Sequence, residues 1–501
     1  MKILIVAPNL RNEINFDYQF PIGLAYISAI LKANNYKVIT FNSNHYSFDV
    51  FIDKLKNYNY DIIMTGGMWM HYKPIKKIID ETRKYSKAKI IIGGSIVSSE
   101  PHMALELLNP DYAVIGEGEE TILELLKYIK NKENKKPSTI KGIAYMENGK
   151  IKITSKREFV NLNELPYPDF DGFEFEEYLN NMYSNQWYYN NLSDNPRAYS
   201  LLGSRGCPFH CTFCYQALGK KYRVRKIENI IKEMEWAIEK YKINIFNILD
   251  DTFIAGERIT EFCNAMIDLR KKYEVSWVCQ MSVVGLNKET LCLLKKAGCF
   301  LISYGFESYS KKILASMKKP ITPEQIDFAL KETLKQGIAI QGNFIFGDPA
   351  ETLETINETI NYWTTCEGQI NLYFIQPCPG SEIWDYCLNN KLIDKKNYLE
   401  NNIGRFNLIN MTKINQWENI CRNIILLSNM GFIKHSIPKQ ILPSSKNFKI
   451  EVDCPYCNKL NKYSNIRLPK EIIWKFKMIC KNCAKRYYVL SPIFQEMQTG
   501  D

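Results

Sequence analysis

The 501-residue sequence has no uninterrupted apolar run of the roughly 18 residues that a membrane-spanning helix needs, so no transmembrane segment is expected. Its first residues, Met1-Lys2-Ile3-Leu4-Ile5-Val6-Ala7-Pro8, carry one lysine and a short apolar run stopped by proline. No small-residue cleavage pattern follows, and the stretch reads as a buried strand rather than a secretory leader. A concentrated basic block is also missing. The formal charge is +11, but Lys and Arg are spread through an Asn-, Ile- and Lys-rich chain, which predicts a solvated basic surface; nucleic acid is allowed as a partner but not indicated. A disulfide framework is not expected, because the chain is long and seven of its 15 cysteines fall into metal-type spacings. Thiols kept in a reducing cytoplasm follow. With 46% hydrophobic and 24% charged residues, the composition is that of a globular protein with room for about three domains.

What is present centres on Ser204-Arg205-Gly206-Cys207-Pro208-Phe209-His210-Cys211-Thr212-Phe213-Cys214-Tyr215. Three thiolates spaced C-x3-C-x2-C can hold three irons of a cubane cluster, and no fourth cysteine in the loop is there to close the fourth iron. A metal with an open position can bind substrate or cofactor, as in catalytic zinc sites. The competing readings are a zinc knuckle or three buried thiols, although knuckles favour paired C-x2-C hooks.

This C-x3-C-x-aromatic-C pattern resembles the signature of the radical S-adenosylmethionine (SAM) superfamily. The resemblance implies that Cys207, Cys211 and Cys214 ligate a 4Fe-4S cluster, that SAM occupies the fourth iron, and that Phe213 lies against its adenine. It also implies a 5'-deoxyadenosyl radical as the working species and an external reductant such as flavodoxin or ferredoxin. That chemistry belongs to the cofactors, and the protein positions and shields them.

From residue 1 to about 130, short strand-like runs (Lys2–Ala7, Lys37–Phe41, Asp61–Thr65, Lys89–Ile92, Tyr112–Ile115) alternate with amphipathic stretches (Gly23–Ala33, Phe48–Asn57, Tyr72–Tyr85, Glu119–Lys130). Alternation of this kind predicts a doubly wound parallel sheet with a ligand beyond the carboxyl ends of its strands. Gly66-Gly67, Gly93-Gly94 and Gly116-Glu117-Gly118-Glu119 fall on those ends, where glycine lets backbone approach a large flat ligand. Phe20-Pro21-Ile22-Gly23-Leu24-Ala25-Tyr26, Ile92-Gly93-Gly94 and Gly116-Glu117-Gly118-Glu119-Glu120-Thr121 resemble the cobalamin-binding domain found upstream of many radical enzymes. Gly93, Gly94, Gly116, Glu117 and Gly118 are the implied cofactor contacts. The histidine motif Asp-x-His-x-x-Gly is missing, and the chain holds five histidines in all. Cobalamin is expected without a histidine ligand, and an empty domain is the alternative. Trp69 and His71 sit on the loop expected beneath the corrin, His71 as an ordinary surface residue.

The expected organisation is a cobalamin-binding-like domain over 1–135, a connector over 136–197, a partial barrel over 198–400, a helical extension over 401–447 and a zinc ribbon over 448–501. In the connector, Gly142–Met146 and Ile151–Thr154 flank Asn148-Gly149 as a hairpin. The proline-rich Leu165–Phe170 excludes regular helix or central strand. Tyr183, Trp187, Tyr188 and Tyr189 suit either an active-site cover or domain packing. Six strand candidates (Ala198–Gly203, Ile245–Asp250, Val275–Gln280, Leu301–Phe306, Ala339–Phe346, Ile370–Gln376) alternate with helices, predicting a TIM-like (β/α)6 partial barrel with its site at the carboxyl ends. The resemblance puts SAM contacts on Asp250 and Asp251 for the methionyl amine, on Glu307 for the ribose and methionine region, and on Gly347 and Glu351 for the adenine side. Helix-start capping is the competing role for Asp250, Asp251 and Glu351. Cys378 is not expected to be a ligand.

Residues 400–447 read as mostly helical, with Ile414–Met430 the clearest run. Beyond 448, Cys454-Pro455-Tyr456-Cys457 and Cys480-Lys481-Asn482-Cys483 form two C-x2-C hooks, the arrangement of a closed tetrahedral zinc site. Iron is the rival metal, and a module this small needs metal to fold. The whole reads as a radical SAM enzyme that methylates carbon with the help of cobalamin. A cobalamin-independent rearrangement or cyclisation, and a non-catalytic Fe-S sensor or nucleic-acid-binding protein, are the alternatives. Methylthio transfer is disfavoured because no second cysteine triplet exists. Nothing in the sequence names the substrate.

Overall fold

A computed structural model describes residues 1–490 apart from 12, 132–135, 183–194, 218, 254–256, 367–368, 402–408, 431–433, 444–447 and 467–474. Tyr183, Trp187, Tyr188 and Tyr189 lie outside the described residues. The chain forms two compact units, one of residues 1–181, 213–223 and 377–405, the other of 182–212, 224–376 and 406–501.

The first unit is built on a seven-stranded sheet: β1 (Lys2–Ala7), β2 (Lys37–Asn42), β3 (Ile62–Gly66), β4 (Lys89–Gly93), β5 (Tyr112–Val114), β6 (Ile143–Glu147) and β7 (Lys150–Ile153), in the order β2-β1-β3-β4-β5-β6-β7. The first five strands are parallel. Ile- and Val-rich runs such as Lys2–Ala7 are buried almost throughout, as expected where helices cover both faces. The hairpin of the connector is not a free link. Its first strand pairs antiparallel with β5 (Tyr112 opposite Tyr145, Val114 opposite Ile143) and extends the sheet by two strands. Asn148 and Gly149, at φ of 49° and 74°, make the tight turn that Asn-Gly permits. After β4 come two short helices, Ser95–Ser98 and Pro101–Leu108. Pro101 occupies a first-turn position, where its missing N–H costs nothing.

In the second unit six parallel strands, β8 (Ala198–Leu201), β9 (Ile245–Phe253), β10 (Ser276–Met281), β11 (Cys299–Glu307), β12 (Ala339–Phe346) and β13 (Ile370–Phe374), lie side by side in chain order. This is the partial barrel. One face packs on the helices. Tyr199 donates to Glu233 of helix Ile227–Tyr241, Trp277 meets Phe262 of helix Glu257–Arg270, and the Tyr304 hydroxyl lies 3.0 Å from Thr333 of helix Pro323–Lys335. Because side chains alternate along a strand, the residues beside these, Ser200, Asn247, Gln280, Ser303, Gln341, Asn343 and Asn371, share the inner face. Branched aliphatics usually fill such interiors; amides and hydroxyls replace them at these positions.

The C-terminal module starts earlier than residue 448. Residues 435–443, expected within a helical extension, include β14 (His435–Ser436) and β15 (Gln440–Pro443). These join β16 (Phe448–Asp453), β17 (Leu460–Ile466), β18 (Lys475–Ile479) and β19 (Arg486–Leu490) in two three-stranded sheets, β14-β19-β18 and β15-β16-β17. Pro438 interrupts the stretch and leaves two pieces too short for a periodic signal.

Gly66 and Gly93 face each other in register across β3 and β4. A Cβ on Gly66 would collide with the Gly93 carbonyl oxygen, and one on Gly94, at φ +90°, would sit 2.7 Å from the Gly67 oxygen. Gly66→Ala is therefore expected to destabilise the first unit by about 1–3 kcal/mol through overpacking, measurable as a lower midpoint in chemical denaturation with the second unit's transition unchanged.

Candidate functional site

The loop that carries Cys207 and Cys211 leaves the end of β8 under tight control. Asp250, fully buried near the end of β9, accepts the Gly203 N–H (2.7 Å), the Ser204 N–H (2.9 Å) and the Ser204 hydroxyl (2.6 Å). Burial raises its pKa to about 6 against these lowering hydrogen bonds. Oδ1 thus takes the two backbone donors and Oδ2 the Ser204 side chain. Asp250, expected to face the amine of SAM, holds the backbone before the cysteines. Arg225 and Arg258 donate to the carbonyls of Leu202 and Gly203, and the Gly203 carbonyl also accepts the Arg225 N–H. Arg225 is paired at 2.6 Å with buried Glu233. Asp251 accepts the Gly206 N–H, where φ is +86°. The Thr212 N–H is bound to the Met317 carbonyl at 3.0 Å. Cys207 and Cys211 are half-buried, Cys214 is exposed and Phe213 is half-buried. Burial pushes the Cys211 thiol up, with Lys319 opposing and Glu307 reinforcing the shift.

At the end of β11, Glu307 has φ +64°, rare for a residue with a side chain. Its carboxylate folds back over Gly305, where any Cβ would collide with it, and pairs with Lys319 at 2.9 Å. After β12, Gly347 takes φ +106° with Trp417 3.3 Å from where its Cβ would stand. Glu351 accepts the Gly347 N–H at 2.6 Å and so ties its own turn together, while the helix that follows is capped by Thr352. Asp348 binds the Ser316 hydroxyl and the Ala350 N–H through Oδ1. Its Oδ2 is buried without a partner, as are the Thr212 hydroxyl and Gln341 Oε1. These are unspent polar atoms for a cofactor or substrate.

In the first unit, Gly116 (φ +77°) has open space where a Cβ would project, as does Gly23, and Gly93 has only Val114, at 3.8 Å. These positions fit close approach by a bulky ligand. Gly66, Gly67 and Gly94 let two loops approach each other or the His71 ring. Gly118 lies under Ile27, 3.1 Å from its would-be Cβ. Glu117 is not spread toward a ligand. It forms a two-pronged ion pair with Arg223 (2.8 and 3.1 Å) and accepts the Val160 N–H, while the Arg223 guanidinium stacks 3.9 Å over Phe159. The Trp69 indole donates to Ser99, and His71 accepts the Met68 N–H through Nδ1; burial lowers the pKa of that imidazole.

In the C-terminal module the sulfurs of Cys454, Cys457, Cys480 and Cys483 all lie within 4.8 Å of one another, with 3.7 Å between Cys454 and Cys483 and between Cys457 and Cys480. A tetrahedron with metal–sulfur bonds of about 2.3 Å has sulfurs about 3.8 Å apart, so the four thiols fit one ion. Sequence reading missed Arg225, Glu233, Arg258, Lys319 and Asp348. Only the Arg223-Val224-Arg225 alternation just after the cysteine loop hinted at any of them.

A six-stranded partial barrel whose first strand feeds a three-cysteine loop, with a doubly wound unit in the same chain, defines a class of radical enzymes. The pattern of the Radical SAM superfamily matches residues 201–362 and that of the B12 binding domain residues 13–126. An uncharacterized methyltransferase of Pyrococcus horikoshii is 30% identical over 417 residues, 79% of this chain and 85% of that protein. The anaerobic magnesium-protoporphyrin IX monomethyl ester cyclase of Rubrivivax gelatinosus is 26% identical over 373 residues, 72% of this chain and 65% of that one. The solved structure of the radical SAM methyltransferase TsrM from Kitasatospora setae, with cobalamin and a 4Fe-4S cluster bound, superposes with a TM-score of 0.62 at 18% identity, covering 78% of this chain and 76% of that one. The chain belongs to the radical SAM superfamily, in the branch that carries a B12-binding domain.

Asp250→Ala removes three hydrogen bonds from the cysteine loop, and iron content after reconstitution should fall several-fold while the circular dichroism of the fold persists. Burial raises the Glu351 pKa to about 8. Stability from its protonated form is complete below the ordinary carboxylate range and is lost as pH rises through 8, so Glu351→Gln should flatten the decline in melting temperature between pH 5 and about 8.

Proposed function

We propose that the protein methylates an unactivated carbon of its substrate, with Cys207, Cys211 and Cys214 holding a 4Fe-4S cluster and the first unit holding cobalamin. The observation that carries this reading is the three-cysteine loop at the end of the first barrel strand in a chain that also contains a B12-binding domain. When bound, these groups supply a 5'-deoxyadenosyl radical and a methyl donor, given SAM and a one-electron reductant. The chain's own residues provide order. Asp250 and Asp251 fix the backbone before and at Gly206, the Met317 carbonyl anchors Thr212, and the Glu307–Lys319 pair would offer the polar ends of SAM a carboxylate and an ammonium. Asp348 offers a buried acceptor beside Gly347 for a hydroxyl or amine. Gly116 and Gly93 leave room for the corrin edge. The relationship to a cyclase supports a second reading, ring formation on the same scaffold. The C-terminal thiols hold zinc as a structural ion, which stabilises a module whose core is small.

Anaerobic reconstitution with iron, sulfide and hydroxocobalamin, followed by desalting, should leave both corrinoid absorbance and a 4Fe-4S spectrum, and reductant should yield 5'-deoxyadenosine. Cys207→Ala should abolish deoxyadenosine formation while corrinoid is retained. A loaded cluster that cleaves no SAM would overturn the radical reading, and deoxyadenosine without retained corrinoid would overturn the methylation. Metal analysis of the protein before reconstitution should find one zinc per chain, lost together in Cys454→Ala and Cys480→Ala.

A further inference from the structure

The C-terminal module sends one lysine to the inner face of the barrel. Its docking begins at Gln369, fully buried just before β13. The Gln369 amide donates to the Arg486 carbonyl (3.1 Å) and accepts the Arg486 N–H (2.8 Å), and the Arg486 guanidinium returns to the Gln369 carbonyl. This clamp holds β19 against the residue before β13, and β18 is paired with β19. Lys477 of β18 then donates to Asn371 Oδ1 at 3.0 Å, and Asn371 reaches Asn343 at 3.4 Å. Both asparagines are on the inner face. Asn343 stands opposite Gly305 in register, the residue over which the Glu307 carboxylate folds.

Charge makes this placement informative. An ammonium has three hydrogens to donate, and Lys477 spends one on a neutral amide. Its charged neighbours are further cations, Arg486 and Lys475, which with burial hold its pKa well below the ordinary lysine range. No carboxylate balances it among the described residues. The Arg486 Nε is buried without a partner, and the Tyr488 ring beside Lys477, at 5.3 Å, brings no charge. Burial and the neighbouring cations disfavour the ammonium as the site stands, and an anion bound beside Lys477 would restore its charge, which a wall that only needed filling would not require. The inner face nearby offers amides and a hydroxyl, Gln341, Asn343, Asn371 and Ser303, suited to fixing a polar group.

We propose that Lys477 is a substrate-binding residue, carried by the four-cysteine module to the inner face of the barrel, where with Asn371 it receives an oxyanion of the substrate, a carboxylate or a phosphate. The inference rests on the barrel being the reaction chamber, and it narrows the substrate class to anionic molecules. It also gives the C-terminal module a part in recognition, since Lys477 reaches Asn371 only while the module is folded and clamped at Gln369.

The test needs no turnover. The metal-replete full chain is acylated with an N-hydroxysuccinimide ester in the presence of inorganic phosphate or of succinate, and modification at each lysine is read by peptide mass spectrometry. Millimolar anion is expected to slow labelling of Lys477 by about fivefold, as near-saturation of a millimolar site would, with Lys459 unaffected. Protection by phosphate alone assigns a phosphate-bearing substrate, and protection by succinate alone a carboxylate-bearing one. Protection by neither overturns the proposal. Equilibrium dialysis with radiolabelled phosphate and succinate supplies a second measurement: saturable binding should vanish in Lys477→Met, and binding undiminished in that variant would equally overturn it. Deoxyadenosine formation followed in the same preparation separates the two ideas, because it can persist when protection is absent.

Discussion

The buried carboxylate of Asp250 is the constraint on which the reactive end of the second unit depends. A three-cysteine loop contributes little order of its own, since its glycine and proline favour turns and its thiols await a metal. Asp250 supplies that order with three short hydrogen bonds to Gly203 and Ser204, and arginines 225 and 258 take up the carbonyls on the same turn. Desolvation raises the carboxylate's pKa, and the gain is geometry. These bonds fix the backbone that leads into the loop, the kind of preorganisation that a site must have when its chemistry is carried by a bound group.

The same economy recurs elsewhere. Carboxylates and glycines at strand ends, which in isolation suggest ligand contacts, are largely engaged with the protein itself: Glu117 with Arg223 and Val160, Glu351 with Gly347, Gly66 with Gly93. What remains unspent is more selective. Asp348 Oδ2, the Thr212 hydroxyl, Gln341 Oε1 and the space over Gly116 are the positions at which a ligand would complete the structure rather than compete with it.

The C-terminal module illustrates how a metal-type knot can serve recognition. Its core, with Val452, Tyr463, Met478 and Tyr487 around the cysteines, is small, and a metal held by the four thiols would do the work that a larger apolar core does elsewhere. A rigid small module can then present a charged side chain at a defined place on the barrel wall. Lys477 depends on that rigidity because a flexible tail would lose its long side chain to water.

Much was legible in the chain itself. Alternating apolar runs identified both parallel sheets, with strands such as Lys2–Ala7 and Ala339–Phe346 matching to the residue, because a buried parallel strand has to be a continuous apolar run between turns. Cysteine spacing revealed the four-thiol cluster of the C-terminal module, since ligand spacing is a local property. Three features were not legible. The hairpin's pairing with β5, the pairing of β14 with β19 and the engagement of Asp250 and Glu117 all depend on partners from 29 to 106 residues away. Lys477 is the sharpest case. In sequence it is one basic residue among many in a basic tail, and only the docking of the C-terminal module at Gln369 carries it to Asn371, 106 residues earlier in the chain. Local chemistry thus determined which folds and metals this sequence can support, whereas tertiary packing decided which polar groups are already satisfied and which are left for a ligand.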